Sequence, residues 1–351
     1  MDTLHLQRTP HTGRAAAACL HGIEQAGGTR QTPLLAMREL IASLQRDPAS
    51  KDQFWLIDDR ADRDPATTAI SAWPLWFSEH AREDERPLFY LTRSRTSAHL
   101  SMLAAQTAER GIILNDIESS PSRWAKGAHP WLPLWLASNR RCLPFDPACA
   151  EEARAIVGGA LREFYQEGRP GFCYLTLHDA PGEAFDCERG QAWLGMYRVS
   201  GPTSGTAQVR LLGAGRMLEE VRAAAVQLKR GWGIDSEVWS CPSYTRLARD
   251  AAAVQRWNRN PRHARRRAHL HDCLAGSQAP VIAVTGYAEF VAAQLAAQVE
   301  APFTSLGADS LAPGQRLERN WIAYSALQAL VAQGSFATAD LREALRRYGF
   351  S

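Results

Sequence analysis

The sequence has no long apolar run, no excess of one charge and very little lysine. None of its 351 residues belong to a stretch of the roughly 18 uncharged apolar residues that a membrane span needs, so we expect no membrane partner. A net charge of +3 gives no general reason to expect a polyanion as partner. Lysine occurs at only three positions, so 37 of the 40 basic residues are arginine. This bias indicates biased codon usage rather than a function.

Common catalytic and redox motifs are missing as well. No GxSxG, HExxH, P-loop or CxxC sequence occurs. The seven cysteines are an odd number, which favours reduced thiols over a disulfide framework. Residues 15–20 are too short for the apolar region of a signal peptide. We therefore expect a cytoplasmic protein.

The first half of the sequence contains scattered helix and strand patterns. Residues 1–31 are polar and aperiodic, which predicts a loosely ordered arm. Thr32 and Pro33 then indicate the cap and first turn of a helix. The apolar patterns that follow predict helices over 97–109 and from about 147, and strands at 54–57, 88–91, 112–114 and 172–177.

The second half alternates strands and helices regularly, which predicts an α/β fold with helices on both faces of a sheet. The acidic, loop-like stretch 182–190 indicates a boundary between domains at 32–185 and 190–351. The predicted strands are 208–212, 237–240, 281–284 and 303–306, and the predicted helices are 216–230, 244–257, 288–299, 321–333 and 338–347.

A tight turn, Gly213-Ala-Gly215, joins a predicted strand to a predicted helix. Its glycines let the backbone turn sharply, and the amides of the first helical turn could receive an anion. The dinucleotide-binding fingerprint needs a third glycine where Leu218 stands. Two interpretations stay open, a tight connection and a small-anion site.

The largest cluster of like charge is an arginine run over 259–267. It could hold phosphate, but it contains no alternating aromatic residues for base stacking, so we interpret it as a solvated loop and expect no nucleic-acid partner. His269, His271 and Cys273 alternate nearby without a fourth zinc ligand, so we expect no metal. The run consists of Arg259, Arg262, Arg265, Arg266 and Arg267.

Five segments of the second half resemble a known family in their order and spacing. They are VRLLGAGRMLEEVRAAAVQL (209–228), SEVWSCPSYTRLARDA (236–251), PVIAVTGYAEFVAAQL (280–295), TSLGADS (304–310) and YSALQALVAQGSF (324–336). They resemble the transketolase-type C-terminal domain of the single-chain, homodimeric decarboxylating component of the pyruvate dehydrogenase complex. The resemblance is continuous from about 146 to 350.

Upstream segments resemble the pyrimidine-binding domain of the same family. Residues 32–65 resemble its beginning, and FDPACAEEARAIVGGALREFY (145–165) with FCYLTLHDAPGE (172–183) resemble its end. The resemblance implies a shortened thiamine-diphosphate-enzyme pyrimidine-type domain over 32–185, followed by a transketolase C-terminal-like open twisted sheet over 190–351.

The resemblance also implies a cofactor and two site residues. In this family, thiamine diphosphate lies between a diphosphate-binding domain and a pyrimidine-binding domain of different subunits, where a glutamate hydrogen-bonds the aminopyrimidine ring. Glu109, which precedes Arg110-Gly111, is the best local match to that catalytic and cofactor-binding glutamate. His129 stands roughly where the family's proton-transferring histidine loop should end.

Several features of the family are missing. No GDG motif, which would hold magnesium and diphosphate, occurs in the sequence, and only 36 residues separate Glu109 from Asp146. The resemblance then implies a degenerate relative that is not catalytic alone and acts as an assembly or regulatory partner. The alternative is the catalytic half of a split 2-oxo acid dehydrogenase, an oxidoreductase that shares thiamine diphosphate and Mg²⁺ with a separate diphosphate-binding subunit.

The predicted helix 321–333 has an unusually wide apolar face. This face is wider than one helix needs for packing against a sheet, and it consists of Trp321, Leu327, Leu330 and Val331. This predicts a homodimer contact, or, as the other interpretation, ordinary core packing.

Overall fold

The computed structural model describes residues 9–25, 32–59, 85–107, 110–119, 121–182, 185–203, 205–312 and 314–350. The chain divides into two compact units, Met1–Ala184 and Phe185–Ser351. This division falls inside the stretch 182–190 in which the sequence indicated a boundary. Each unit contains a five-stranded sheet.

The sheet of the first unit is parallel throughout. Its strands are β1 Trp55–Asp58, β2 Leu88–Thr92, β3 Ile112–Asp116, β4 Cys142–Phe145 and β5 Phe172–Leu177. They lie in the order β1-β2-β3-β5-β4, with every neighbouring pair parallel. Strands β2, β3 and β5 are buried along their whole length, as expected for parallel strands covered on both faces.

Five α-helices accompany this sheet in the described part of the first unit. They are α1 Pro10–Gln25, α2 Pro33–Arg46, α3 Ser97–Gln106, α4 Trp131–Ser138 and α5 Ala150–Ala160, the last continuing into a π-helical turn over Leu161–Gln166. Helix α2 begins where the sequence predicted, because the Thr32 side chain accepts a hydrogen bond from Leu35 N at 3.2 Å.

The prediction of a loosely ordered arm over 1–31 is wrong for residues 10–25. Helix α1 buries a face of small and medium side chains, including Ala15, Ala16 and Cys19, and its Thr12 hydroxyl donates to Glu85 O at 2.8 Å. Small residues give a weak apolar pattern in sequence. The helix is stabilised by this tertiary packing, which a local pattern does not reveal.

The sheet of the second unit is mixed. Its strands are β6 Tyr197–Ser200, β7 Val209–Gly213, β8 Ser236–Ser240, β9 Val281–Val284 and β10 Phe303–Leu306. They lie in the order β10-β9-β7-β8-β6, and only the edge strand β6 pairs antiparallel, with β8. The predicted α/β fold is confirmed, with the antiparallel edge strand as an addition.

Seven helices of the second unit complete the described fold. They are α6 Arg189–Leu194, α7 Met217–Trp232, α8 Tyr244–Asn258, α9 His269–Cys273, α10 Phe290–Ala293, α11 Arg319–Ala332 and α12 Thr338–Tyr348. The single helix predicted over 288–299 is instead α10 followed by a 3₁₀ turn, Ala296–Gln298. No helix in the described ranges is long and apolar enough to cross a membrane.

The wide apolar face of α11 is largely covered within the chain. Leu327 and Leu330 are buried, and the Trp321 ring stacks on Phe350 with centroids 3.8 Å apart. Core packing therefore accounts for these side chains, and the homodimer stays a prediction.

Candidate functional site

The candidate site is the edge of the first sheet at which its parallel strands end. In open α/β sheets, ligands bind outside the carboxyl ends of the strands. Here charged side chains lie at these ends: among them, Arg93 comes after β2, Asp116 closes β3 and Asp146 comes after β4.

Three charged side chains form a buried group at this edge, which we call the Lys126 cluster: Glu118, Lys126 and Asp146. Lys126 Nζ donates to Asp146 Oδ1 at 3.0 Å and also to the Glu118 carboxylate. The side chains of Glu118, Lys126 and Asp146 are 6%, 5% and 9% exposed. The lysine thus lies between two carboxylates that come from different strand ends.

A strained turn places Lys126 in this position. It is the only non-glycine residue in the described ranges with a positive φ, at 51°. Gly127 follows with a φ of 71°, and a Cβ there would clash with the carbonyl oxygen of Ile117. A left-handed non-glycine residue costs about 1–3 kcal/mol, and such strain persists only where surrounding contacts enforce it. The two ion pairs of Lys126 are such contacts.

Burial and charge act in opposite directions in the Lys126 cluster. Burial alone lowers the pKa of Lys126, but the Asp146 and Glu118 carboxylates outweigh it and raise that pKa above its ordinary value. Burial raises the pKa of Asp146 to about 6, against the opposing effect of Lys126. Asp146 Oδ2 is buried and has no hydrogen-bond partner in the described part of the chain. The cluster therefore holds a charged lysine and one carboxyl group that binds a proton more readily than usual.

Asp116 forms a second set of ion pairs at the same edge. This side chain is 1% exposed and accepts hydrogen bonds from Arg38 Nη2 at 2.9 Å and Arg93 Nε at 3.1 Å. Arg38 comes from α2, so this contact also joins the helix to the end of β3. Asn115 holds the loop after β2 by donating to Ser94 O at 2.8 Å and accepting from Ser94 N at 2.9 Å.

Two further carboxylates, beyond the ends of the interior strand β5 and the edge strand β1, are also bound by side chains of the chain. Thr32 Oγ1 donates to Asp179 Oδ1 at 2.7 Å beyond β5. His99 Nε2 lies 3.3 Å from Asp59 Oδ2 beyond β1. Side chains of the chain itself thus occupy the carboxylates along this edge.

The two predicted site residues have different outcomes. Glu109 lies outside the described residues. His129 is half-buried in the same loop as Lys126, and its Nδ1 accepts a hydrogen bond from Trp131 N at 3.3 Å. Its ring lies edge-on to Trp124, with centroids 4.8 Å apart. Within the described ranges, no hydrogen bond joins His129 to the Lys126 cluster, so its proposed role in proton transfer stays a prediction.

The sequence did not predict the members of the Lys126 cluster as site residues. A signal was present, because Glu118 and Asp146 come just after apolar segments that form strands, and Lys126 is one of only three lysines. The sequence did not predict that these side chains meet, because Asp146 reaches the others only if β4 is the edge strand beside β5.

The glycine turn of the second unit is a tight structural connection. A Cβ on Gly213 would lie 2.8 Å from Leu218 Cα, so glycine lets α7 pack close to β7. Leu218 N donates to Gly215 O at 3.1 Å, and Glu219 and Glu220 occupy the first turn of the helix. Acidic side chains there disfavour an anion, so the geometry does not support the small-anion site.

The histidines of α9 are engaged with backbone carbonyls. His269 Nε2 lies 2.8 Å from Met196 O, and His271 Nε2 lies 3.0 Å from Gln298 O. Because a carbonyl only accepts, each Nε2 is assigned as the donor in its contact. Burial raises the pKa of the Cys273 thiol to about 11, which keeps it protonated at neutral pH. Both histidines are therefore held by contacts within the second unit.

Comparison with protein families identifies the domain in the second unit. Residues 195–311 match the family described as the transketolase-like TK C-terminal domain. This range contains strands β6–β10 of the mixed sheet. The second unit therefore carries a transketolase-like C-terminal domain.

Similar sequences extend the relationship beyond that domain. The chain is 32% identical over 230 residues to the pyruvate dehydrogenase E1 component of Cupriavidus necator, which covers 61% of this chain and 26% of the relative. The Pseudomonas aeruginosa protein of the same name is 32% identical and covers 62% of this chain and 26% of the relative. The chain is homologous to pyruvate dehydrogenase E1 components and spans about a quarter of the length of these curated relatives.

Solved structures support the fold. A split gene transketolase described as an inactive β4 tetramer aligns with a TM-score of 0.52 at 14% identity, over 87% of this chain and 99% of that chain. Transketolase from Leishmania mexicana aligns with a TM-score of 0.52 at 15% identity, over 95% of this chain and 49% of that chain. At these identities, the likeness shows the fold alone.

The described residues at the candidate site do not fit thiamine diphosphate and its metal. The carboxylate of Asp116 already binds Arg38 and Arg93, and Lys126 lies between the other two carboxylates. Within the described ranges, no group of three or more His, Cys, Asp or Glu side chains could hold a metal ion. Within the described residues, the carboxylates of the candidate site are therefore bound by cations of the chain itself.

Proposed function

We propose that this chain is a degenerate, pyruvate dehydrogenase E1-like protein that is not catalytic alone and acts as an assembly or regulatory partner. It would act as a homodimer or in a complex with a subunit that carries a diphosphate-binding domain. The homology to pyruvate dehydrogenase E1 components supports the family part of this proposal.

The observation that carries the proposal is the position of Lys126. Its side chain is 5% exposed, and its ammonium group bonds two carboxylates at the sheet edge where a ligand of this fold would bind. A ligand that needed either carboxylate would have to displace a buried charge. That displacement costs several kcal/mol, because an ion pair in a low-dielectric site leaves an uncompensated charge when it is broken.

Two further observations support the lack of independent activity. The sequence contains no GDG motif for a metal and a diphosphate group. The split gene transketolase, whose chain aligns almost completely with this one, is described as inactive in its β4 tetramer. By analogy, we propose that a chain with this set of domains is not catalytic alone.

The alternative function is the catalytic half of a split 2-oxo acid dehydrogenase. One observation favours it: helix α5 (Ala150–Ala160) and the buried strand β5 (Phe172–Leu177) lie within the two segments that resemble the end of a pyrimidine-binding domain. In that case Glu109 would bind the cofactor, and His129 would move protons. A separate subunit would supply the diphosphate-binding groups.

Release of carbon dioxide from pyruvate distinguishes the two functions. We expect none from the purified chain with thiamine diphosphate and Mg²⁺, and none after addition of a diphosphate-binding subunit encoded nearby. Release by the mixture would overturn the degenerate function. It would establish the alternative if Glu109→Gln abolishes the release while Glu300→Gln, a change at an exposed glutamate, does not.

A further inference from the structure

The loop after α8 carries a cluster of positive charge that the proposed function does not use. All residues over 259–267 are exposed. Arg267 pairs with Asp272 at 3.0 Å, and the Arg266 guanidinium lies 3.6 Å from the Trp257 ring centroid. The other three arginines have no acidic partner in the described part of the chain. We call this group the free arginine surface: Arg259, Arg262 and Arg265.

Hydrogen bonds fix the loop to the end of α8. Trp257 Nε1 donates to Ala264 O at 2.9 Å. Asn258 donates through Nδ2 to Arg266 O at 2.9 Å and accepts through Oδ1 from Arg266 N at 3.0 Å. Farther along, Arg262 N donates to Asn260 Oδ1 at 3.0 Å. The backbone under the free arginine surface is therefore held in one arrangement, which lowers the entropy lost when a partner binds.

The chemistry of this surface selects an anionic partner. Guanidinium groups match carboxylates and phosphates with two parallel hydrogen bonds. Three like charges on one fixed loop also repel one another, and an external anion relieves that repulsion. Since no acidic side chain of the described chain does so, the surface is suited to binding a partner with several negative groups.

Two observations favour carboxylates over nucleic acid. The Trp257 ring is already stacked by His263, with centroids 4.0 Å apart, and by Arg266, so the loop does not offer that ring to a base. The net charge of the whole chain is only +3, which provides little long-range attraction to a polyanion. A short acidic segment can bind through local contacts with the three arginines and does not depend on long-range attraction.

We propose that Arg259, Arg262 and Arg265 form a docking surface for an acidic segment of a partner protein. The proposal goes beyond the proposed function and does not depend on whether the chain is catalytic, because the surface lies in the second unit and uses none of the residues of the candidate site.

The test measures binding of a fluorescein-labelled oligoglutamate peptide to the full chain by fluorescence anisotropy. We expect saturable binding that weakens as ionic strength rises from about 0.01 to about 0.1 M, because the screening length falls from about 30 to about 10 Å. The triple variant R259Q/R262Q/R265Q should bind the peptide at least about tenfold more weakly than the wild type does. The matched control, R140Q/R230Q/R342Q, removes three exposed arginines elsewhere and should bind as the wild type does.

Three results would overturn the proposal. These are no saturable binding of the peptide, equal losses in the two triple variants, and tighter binding of a short DNA duplex than of the peptide. Circular dichroism checks that each variant folds. If the triple variant fails to fold, the single variant R262Q replaces it, and it must still weaken peptide binding measurably.

Discussion

Replacing Lys126 by methionine removes the ammonium group that lies between Glu118 and Asp146 but keeps most of the aliphatic stem. Both carboxylates are less than a tenth exposed, and Lys126 is the only cation that the described part of the chain offers to Asp146. Removing one partner of a buried ion pair costs about 3–5 kcal/mol, because the remaining charge stays in a low-dielectric site. We expect the free energy of unfolding of the first unit to fall by this amount at pH 8.

The loss in Lys126→Met should be smaller at pH 5. Burial raises the pKa of Asp146 to about 6 even with the lysine present, so a proton neutralises this carboxyl group more readily at the lower pH. Urea unfolding at both pH values, followed by a probe in the first unit, measures the two losses. A loss below about 1 kcal/mol at pH 8, the range of exposed ion pairs, would show that the buried pair does not stabilise the first unit as expected. Equal losses at both pH values would show that Asp146 does not bind a proton in this range.

Lys229→Met is the matched control for this substitution. Lys229 Nζ lies 2.7 Å from Asp235 Oδ2, but the lysine side chain is 43% exposed. Solvent screens this ion pair, so the control should lose much less stability than Lys126→Met. The comparison separates the effect of burial from the effect of removing a lysine.

Two further predictions concern the same loop and cluster. The folded-state pKa of Asp146, about 6, lies above its ordinary value, so the folded protein keeps a proton that the unfolded chain releases, and this group's stabilising contribution falls by about 1.4 kcal/mol from pH 5 to pH 8. Asp146→Asn should remove this decrease in the free energy of unfolding between pH 5 and pH 8, as measured by urea unfolding. An unchanged decrease would show that Asp146 is not the group that binds the proton. Gly127→Ala should destabilise the first unit by more than Gly205→Ala destabilises the second, since both glycines have positive φ but only the first would clash with backbone. Thermal unfolding of the two variants compares them, and equal losses would show that the turn is not constrained by Ile117.

The fold was predictable where apolar runs are long and uninterrupted. Strands β5 and β9 have the bounds that the sequence predicted, because buried parallel strands read as largely continuous apolar segments. The edge strand β10 also has its predicted bounds, although it contains Thr304 and Ser305 and is only partly buried. Strand β4 was not predicted, since it contains Pro144, which is tolerated because β4 lies at the sheet edge. Strand β6 was missed because it is short and contains Arg198. Edge strands depend on their neighbours, which local patterns do not include.

The candidate site was less predictable than the fold. The sequence indicated the loop that contains His129, and the structure places Lys126 in the same loop. The role of Lys126 depends on its burial between Glu118 and Asp146, which lie 28 positions apart at the ends of different strands. A charged residue in a polar loop usually lies in solvent, so only the tertiary arrangement shows that this one is buried.

Isothermal titration of the purified chain with thiamine diphosphate in the presence of Mg²⁺ is the most direct test of the claim that this scaffold does not bind the cofactor alone. Because the carboxylates at the edge of the first sheet are bound within the chain, we expect no saturable heat of binding in this titration. A stoichiometric binding isotherm that Glu109→Gln weakens and Glu300→Gln leaves intact would contradict the claim.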